Sequence, residues 1–334
     1  MKNILNKFRR RLIREGEYIR RKAAGAAYGP RRRLIRASEY ILRWLANKYN
    51  YSLVARHYYS PIPDEADFPP GFWEQTSALA GIDMNDEYSL ELLRTVLPAY
   101  IQEFRDRFPI HQPAHGKGFW LINSVYMAVD AHIYYSLIRH FKPRRIIEIG
   151  SGQSTILAAA AAAANREADG VPCQITAIEP FPARNIEDVL DAITLIEKPL
   201  QAVELSLFDQ LEAGDILFID STHVLREGND VQLEYLDILP RLKPGVLVHV
   251  HDISLPRRYP KVYFDQGLYW NEQYLLQAYL VHNSRMKIIW AGNNLMLKYP
   301  QIMCQAFPEF AIMREKFPLS EPSAFWMQVE STRN

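Results

Sequence analysis

From Arg144 onward, short apolar runs alternate with stretches whose apolar residues recur at helical intervals. Arg144–Ile149, Cys173–Ile178, Ile193–Glu197, Asp215–Ile219 and Gly245–Val250 read as strands. Gln153–Arg166, Asn185–Asp191, Asp230–Leu239 and Asn271–Val281 read as the helices between and after them. Lys287–Trp290 and Asn294–Lys298, joined through Gly292–Asn293, read as a closing antiparallel hairpin. Alternating β and α units with continuously apolar strands predict an α/β fold: a Rossmann-like, doubly wound, mostly parallel seven-stranded sheet with a C-terminal antiparallel hairpin.

Upstream the period is helical. Leu90, Leu93, Val96, Leu97 and Tyr100 predict one helix over Asp86–Phe104, and Ser124–Phe141 predicts another, capped by Asn123 or Ser124 and ended before Pro143. Residues 60–73 carry Pro61, Pro63, Pro69 and Pro70 and read as an extended linker. Two helical stretches, broken at Gly29–Pro30, are expected within 1–48. The expected organisation is a basic helical extension over 1–59, a linker and helical cap over 60–142, a ligand-binding body over 143–300 and a tail over 301–334.

Composition narrows the class. The 334 residues are 48% hydrophobic and 23% charged, which excludes a wholly disordered chain or a fibre. Two cysteines, Cys173 and Cys304, give neither a disulfide framework nor a metal knuckle and point to a reducing, cytoplasmic setting. The longest apolar run, Ile156–Ala164, is too short to span a bilayer, and the N-terminal stretch lacks the apolar region of a secretory signal. The net charge of +1 conceals an asymmetry: residues 1–48 hold 15 Lys/Arg against 3 Glu, a net of +12, and the remainder is acidic. Ile4, Leu5, Phe8 and Leu12, and then Ile41, Leu42, Trp44 and Leu45, give this basic segment apolar stripes. Such a segment suits an anionic membrane surface, held peripherally, or packing on the body, on a partner protein or on a second subunit. Nucleic acid is disfavoured, because no zinc-finger, helix-turn-helix or RNA-binding strand signature is present.

The strongest local motif is Glu148-Ile-Gly-Ser-Gly-Gln-Ser-Thr155, which follows a strand and opens a helix. Gly150 and Gly152 there bring backbone N–H groups close to a ligand at the helix N-terminus. Thr155 stands where a dinucleotide site places a third glycine, which disfavours a nicotinamide enzyme. This E-x-G-x-G-x-S-T stretch resembles the first motif of class I S-adenosylmethionine-dependent methyltransferases, in particular the small-molecule and sugar O-methyltransferases and the cephalosporin-hydroxylase-like proteins. The resemblance runs over about Pro143–Pro300. It implies S-adenosylmethionine as cofactor, its methionine part held by Glu148, Gly150, Ser151, Gly152, Ser154 and Thr155. Glu179, ending the second strand, takes the ribose diol, for which a carboxylate is a suitable bidentate acceptor. Gln201, Phe208 and Asp209 are the candidates near adenine.

The fourth strand leads into Asp220-Ser-Thr-His223 and the fifth into His249-Val-His251-Asp252. Adjacent strand ends in a doubly wound sheet face the ligand crevice, so these residues are expected to converge. Two carboxylates and an imidazole suit a divalent cation such as Mg²⁺ or Mn²⁺. The resemblance implies Asp220, His251 and Asp252 as metal ligands and His223 as general base. His251 stands where the family has the first of an acidic pair, which leans the site toward Mn²⁺. Which face of its strand His249 occupies is left open. Residues 253–272 are long and aromatic; Tyr259, Tyr263, Phe264, Tyr269 and Trp270 read as walls of an acceptor pocket, with Arg257 and Arg258 at the rim and Asn271, Glu272 and Gln273 supplying polar contacts. The implied activity is methylation of a hydroxyl on a small molecule or sugar. The rival readings are a cephalosporin-hydroxylase-like metal enzyme on the same fold and a non-catalytic, membrane-associated binding protein.

Overall fold

A computed structural model of the chain describes residues 40–52, 54, 59–114 and 116–331. The two stretches expected around Gly29–Pro30 lie outside the described residues. The chain divides into two units, Met1–Asp67 and Phe68–Asn334. In the first, residues 40–48 form a helix, α1.

The second unit is built on one seven-stranded sheet. Its strands are β1 (Arg145–Ile149), β2 (Gln174–Ile178), β3 (Ile193–Ile196), β4 (Ile216–Ile219), β5 (Leu247–Val250), β6 (Met286–Ala291) and β7 (Phe325–Val329), in the order β3-β2-β1-β4-β5-β7-β6. The first five run parallel, and β7 lies antiparallel to both β5 and β6. The helices are α2 (Asp86–Thr95), α3 (Leu97–Arg107), α4 (Asp130–Phe141), α5 (Gln153–Asp169), α6 (Asp230–Leu233), α7 (Lys261–Asp265), α8 (Glu272–Leu280), α9 (Gly292–Lys298), α10 (Pro300–Ala306) and α11 (Glu309–Lys316).

Alternation along the strands sorts the core into two layers. Ile146, Ile216, Phe218 and Leu247 face a cluster with α2–α5 and α10, whereas Ile147, Leu217, Ile219 and Val248 face one with Val231, Leu276 and Leu280. Most of the alanine run of α5 is buried, because its small side chains let the helix lie close between sheet and α4.

Three expectations need correction. The helix over Asp86–Phe104 is two, broken at Val96, because Pro98 occupies the first turn of α3 and removes a donor. Asn123 caps no helix: its Oδ1 accepts from the backbone N–H of Val125 and Tyr126 in a local turn, and α4 starts only at Asp130. The antiparallel pair closing the sheet exists, but Asn294–Lys298 is helical, with Asn293, Asn294, Leu295 and Met296 buried in succession. The partner of β6 is β7, which comes from the residues read as a tail and inserts between β5 and β6.

Candidate active site

The strand order reverses between β1 and β4, and the crevice at their carboxyl ends collects the candidate residues. Gly150 is required there by geometry. Its φ is +102°, and a Cβ would lie 2.4 Å from the Asp220 carbonyl oxygen. Its N–H donates to Ile178 O and Asp220 N–H donates to Ile149 O, both at 2.9 Å, which brings the ends of β1, β2 and β4 together. Gly152, by contrast, would carry a Cβ into open space. Thr155 Oγ1 accepts from Gly152 N–H at 3.0 Å, securing the first turn of α5.

This turn forms a cradle of polar groups with spare hydrogen-bonding capacity. Glu148 is fully buried; Ser154 donates to one of its oxygens, and the other has no partner. Burial pushes its carboxyl up to about 8, against the bonds from Ser154 and Thr155 that favour ionisation. Ser151 Oγ and Gln153 Oε1 are likewise buried without partners. Buried polar atoms are nearly always paired, so three orphans around one helix N-terminus mark a ligand cradle. Glu179, at the end of β2, accepts the Phe181 N–H at 2.8 Å through one oxygen, and Phe181 beside it is 87% exposed. Of the adenine candidates, Phe208 is packed in the core, Asp209 pairs with Arg241 at 3.0 Å, and Gln201 is exposed.

Asp220, His223, His251 and Asp252 do converge. One ligand atom each from Asp220, His223 and Asp252 lie within 4.8 Å of one another. His223 Nε2 is 3.4 Å from Asp220 Oδ1 and 3.5 Å from Asp252 Oδ2. His251 Nδ1 is 3.4 and 3.8 Å from the same two oxygens and has no hydrogen-bond partner. Each imidazole is oriented from behind. His223 Nδ1–H donates to the buried Glu272 at 2.8 Å, and Glu272 also accepts from Tyr235 OH at 3.0 Å. The backbone N–H groups of Asn271 and Glu272 donate to His223 O, so the N-terminus of α8 holds both ends of that residue. His251 Nε2 lies 3.4 Å from Asp130 Oδ2 and 3.3 Å from Ser323 Oγ, while Asp130 is fixed by the N–H groups of Ser323 and Ala324.

Burial opposes the charge of both imidazoles, yet the surrounding carboxylates hold each well above the usual histidine range. Burial likewise acts to raise Asp220, and the two imidazoles overcome it and hold the carboxyl well below the usual range. Asp220, His223 and Asp252 thus each set one ligand atom close enough to the others that the three could hold a metal ion.

A cavity of about 510 Å³ opens beside this cluster, lined among others by Asp130, His251, Asp252, Tyr263, Phe317 and Ser323. Trp270 covers His223, their rings 4.3 Å apart, and Tyr263 packs on Trp270 at 4.4 Å. The aromatic segment after β5 thus walls the cluster. Arg257 pairs with Glu321 at 3.6 Å and Arg258 lies over Phe72 at 3.8 Å.

A family model described as a methyltransferase domain matches residues 147–253, the stretch from β1 to the residue after Asp252. An uncharacterized protein of Archaeoglobus fulgidus is 34% identical over 171 residues, covering 48% of this chain and 74% of that one. Over residues 147–253 the chain carries a methyltransferase domain. Among solved structures, a TDP-rhamnose 3′-O-methyltransferase of calicheamicin biosynthesis aligns at 14% identity and a TM-score of 0.40, over 73% of this chain and 93% of that one. The methyltransferase MycE, solved with Mg, S-adenosylhomocysteine and mycinamycin VI, aligns at 13% identity and a TM-score of 0.31, over 74% and 62%.

In this methyltransferase, several polar groups around the cluster had no local signature. Asp130 reaches Ser323 and His251 from a helix far upstream, and Ser323 lies just before a strand the sequence hid. Glu272 was legible only as a polar residue opening α8. His249 falls on the same strand face as His251 but lies one step inside the core, stacked on Trp326 at 4.3 Å, and burial holds it well below the usual histidine range.

Proposed function

We propose that the enzyme methylates a hydroxyl group of a small molecule or sugar, with a divalent cation held by Asp220, His223 and Asp252 and with His251 as the base. The observation that carries this reading is the three-residue ligand group standing beside both the glycine cradle and the cavity lined by His251.

The donor's chemistry is a methyl group on a sulfonium, reactive toward an oxygen held in line with the breaking C–S bond. Glu148, Ser151 and Gln153 offer unpaired polar atoms for its methionine end, with Gly150, Gly152, Ser154 and Thr155 shaping the turn, and Glu179 keeps one oxygen for the ribose diol. Phe181 offers an exposed ring face to the adenine side. A divalent cation supplies positive charge that lowers the pKa of an acceptor hydroxyl and of an imidazole beside it.

This reading exchanges the roles expected for the two histidines, and two features support the exchange. His251 lines the cavity, where an acceptor hydroxyl has access to it, whereas His223 is covered by Trp270. The Nδ1 proton of His223 is fixed by Glu272, which leaves Nε2 as the atom that faces the two aspartates. Asp130 stabilises the imidazolium that forms when His251 accepts the hydroxyl proton.

The test is release of S-adenosylhomocysteine from a panel of sugars and phenols, with and without EDTA. His251→Ala should lower turnover by about 10²–10⁴ with donor affinity unchanged. Turnover unaffected by EDTA removes the cation from the reading, and full activity of His251→Ala removes the base.

A further inference from the structure

The first unit carries a surface for which the transfer chemistry has no use. Helix α1 and the turn after it leave Ile41, Leu42, Leu45 and Tyr49 exposed. At about 100° per residue, Ile41, Leu45 and Tyr49 follow one another at i, i+4 and i+8 with Leu42 beside them, a single stripe roughly 100° wide. Tyr51 and Tyr59 are exposed as well, at 72% and 85%. Lys48 sits at the flank of the stripe, its Nζ 5.7 Å from the Tyr49 ring. A helix normally turns such a stripe inward, and contiguous exposed apolar groups mark an interaction site.

Charge selects the occupant. The stripe belongs to a segment, residues 1–48, with 15 Lys/Arg against 3 Glu, although the chain as a whole is nearly neutral. A second copy meeting it segment to segment would bring the same +12 against it. A phosphate backbone would take the charge but has no use for Ile41, Leu42 and Leu45. An anionic bilayer takes both: headgroups attract the basic residues, and the headgroup–acyl boundary accepts aliphatic side chains and tyrosine rings. Among the described residues no helix is long and apolar enough to cross a membrane, so the contact is with the surface.

We propose that the Met1–Asp67 unit docks on an anionic lipid surface, the Ile41/Leu42/Leu45/Tyr49 stripe entering the interface and the basic residues of 1–48 lying over the headgroups. Each Lys or Arg near such a surface raises partitioning by about fivefold at moderate salt. Neither signal suffices by itself, and the two together give reversible attachment.

The experiment is co-sedimentation of the full chain with vesicles of phosphatidylcholine alone and of equal parts phosphatidylcholine and phosphatidylserine. Pelleting with the anionic vesicles is expected, with loss at ~1 M salt, where the Debye length shrinks to about 3 Å. The triple variant Ile41→Ser, Leu42→Ser, Leu45→Ser should partition about tenfold less or lower, while its S-adenosylmethionine affinity by calorimetry stays that of the parent. Equal pelleting with both vesicle types, no pelleting at all, or a triple variant that pellets like the parent overturns the proposal. So does a parent that ignores vesicles but forms a dimer, by light scattering, that the triple variant dissolves, or one that binds duplex DNA instead.

Discussion

Glu272→Gln separates an imidazole that is merely nearby from one held as a ligand. In the parent, the Glu272 carboxylate accepts the His223 Nδ1 proton at 2.8 Å and the Tyr235 hydroxyl at 3.0 Å, with no part of the side chain exposed. A charge-assisted bond of this kind contributes about 1.5–3 kcal/mol and a neutral one about 0.5–1.5. The amide keeps an acceptor for Nδ1, and Tyr235 can turn its hydroxyl to accept from the amide N–H, so fold and volume are retained. What is lost is the charge that keeps the proton on Nδ1 and Nε2 available to the aspartate pair. The difference, about 1–1.5 kcal/mol, corresponds to roughly a tenfold loss of Mn²⁺ affinity, at the lower end of the 10- to 100-fold typical of groups behind a metal ligand. Mn²⁺ titration followed by electron paramagnetic resonance reads this directly, with S-adenosylhomocysteine affinity as the control. Glu272→Ala, which strands both Nδ1 and the Tyr235 hydroxyl, should cost more in cation affinity and in stability. An Mn²⁺ dissociation constant for Glu272→Gln within twofold of the parent, in a folded protein, refutes the argument, as does an equal loss of cofactor affinity.

The two glycines of the cradle should respond in opposite ways. Gly152→Val places its side chain in open space, so the melting temperature should hold while calorimetry finds no S-adenosylmethionine binding, whereas Gly150→Ala meets the Asp220 carbonyl at 2.4 Å and should lose more than about 2 kcal/mol of stability; a Gly152→Val protein that binds normally takes that residue out of the site. Glu179→Ala should weaken cofactor binding by roughly 1.5–3 kcal/mol, about ten- to over a hundredfold, and Glu179→Gln by less; a change below twofold means the ribose is held elsewhere. His132, buried between Phe104 and Phe307 with neither ring nitrogen hydrogen-bonded, is pushed down to about 4. Its ordinary pKa is about 6.5, so the unfolded chain takes the proton first, and about 3 kcal/mol of stability should drain away as pH falls from 6.5 to 4. Urea midpoints for His132→Phe should decline less steeply over that window, and an identical slope would falsify the assignment.

How much of this was legible in the sequence depended on sequence distance. The strands β1, β2, β4 and β5 announced themselves because each is a short apolar run buried on both faces, β3 at the sheet edge less so, and the glycine turn because its residues act on their immediate neighbours. Strand β7 did not, since FWMQV after two short helices has no turn partner nearby; its pairing is with β5 and β6, both distant in sequence. The stretch Asn294–Lys298 is a short apolar run, Leu295 to Leu297, between polar ends and reads like a strand, but tertiary packing buries Asn293 to Met296 in succession on a helix, and local pattern loses to burial. The clustered aspartates and histidines were legible from their strand ends. Their supports were not, because Asp130, Glu272 and Ser323 act across 193 residues in one case and 49 in another. No spacing rule covers contacts of that range.

The position of β7 has a consequence for how the molecule comes into being. Until residue 329 has left the ribosome, β5 has no neighbour on its outer side and β6 has none within the sheet. The same late segment brings the Ser323 and Ala324 N–H groups that fix Asp130 behind His251. A nascent chain carrying the whole glycine cradle and both aspartates therefore has an open sheet edge and an unsupported imidazole. Such an edge invites pairing with other chains. Closing the sheet and completing the site are a single event, and it waits for the strand made after all the others.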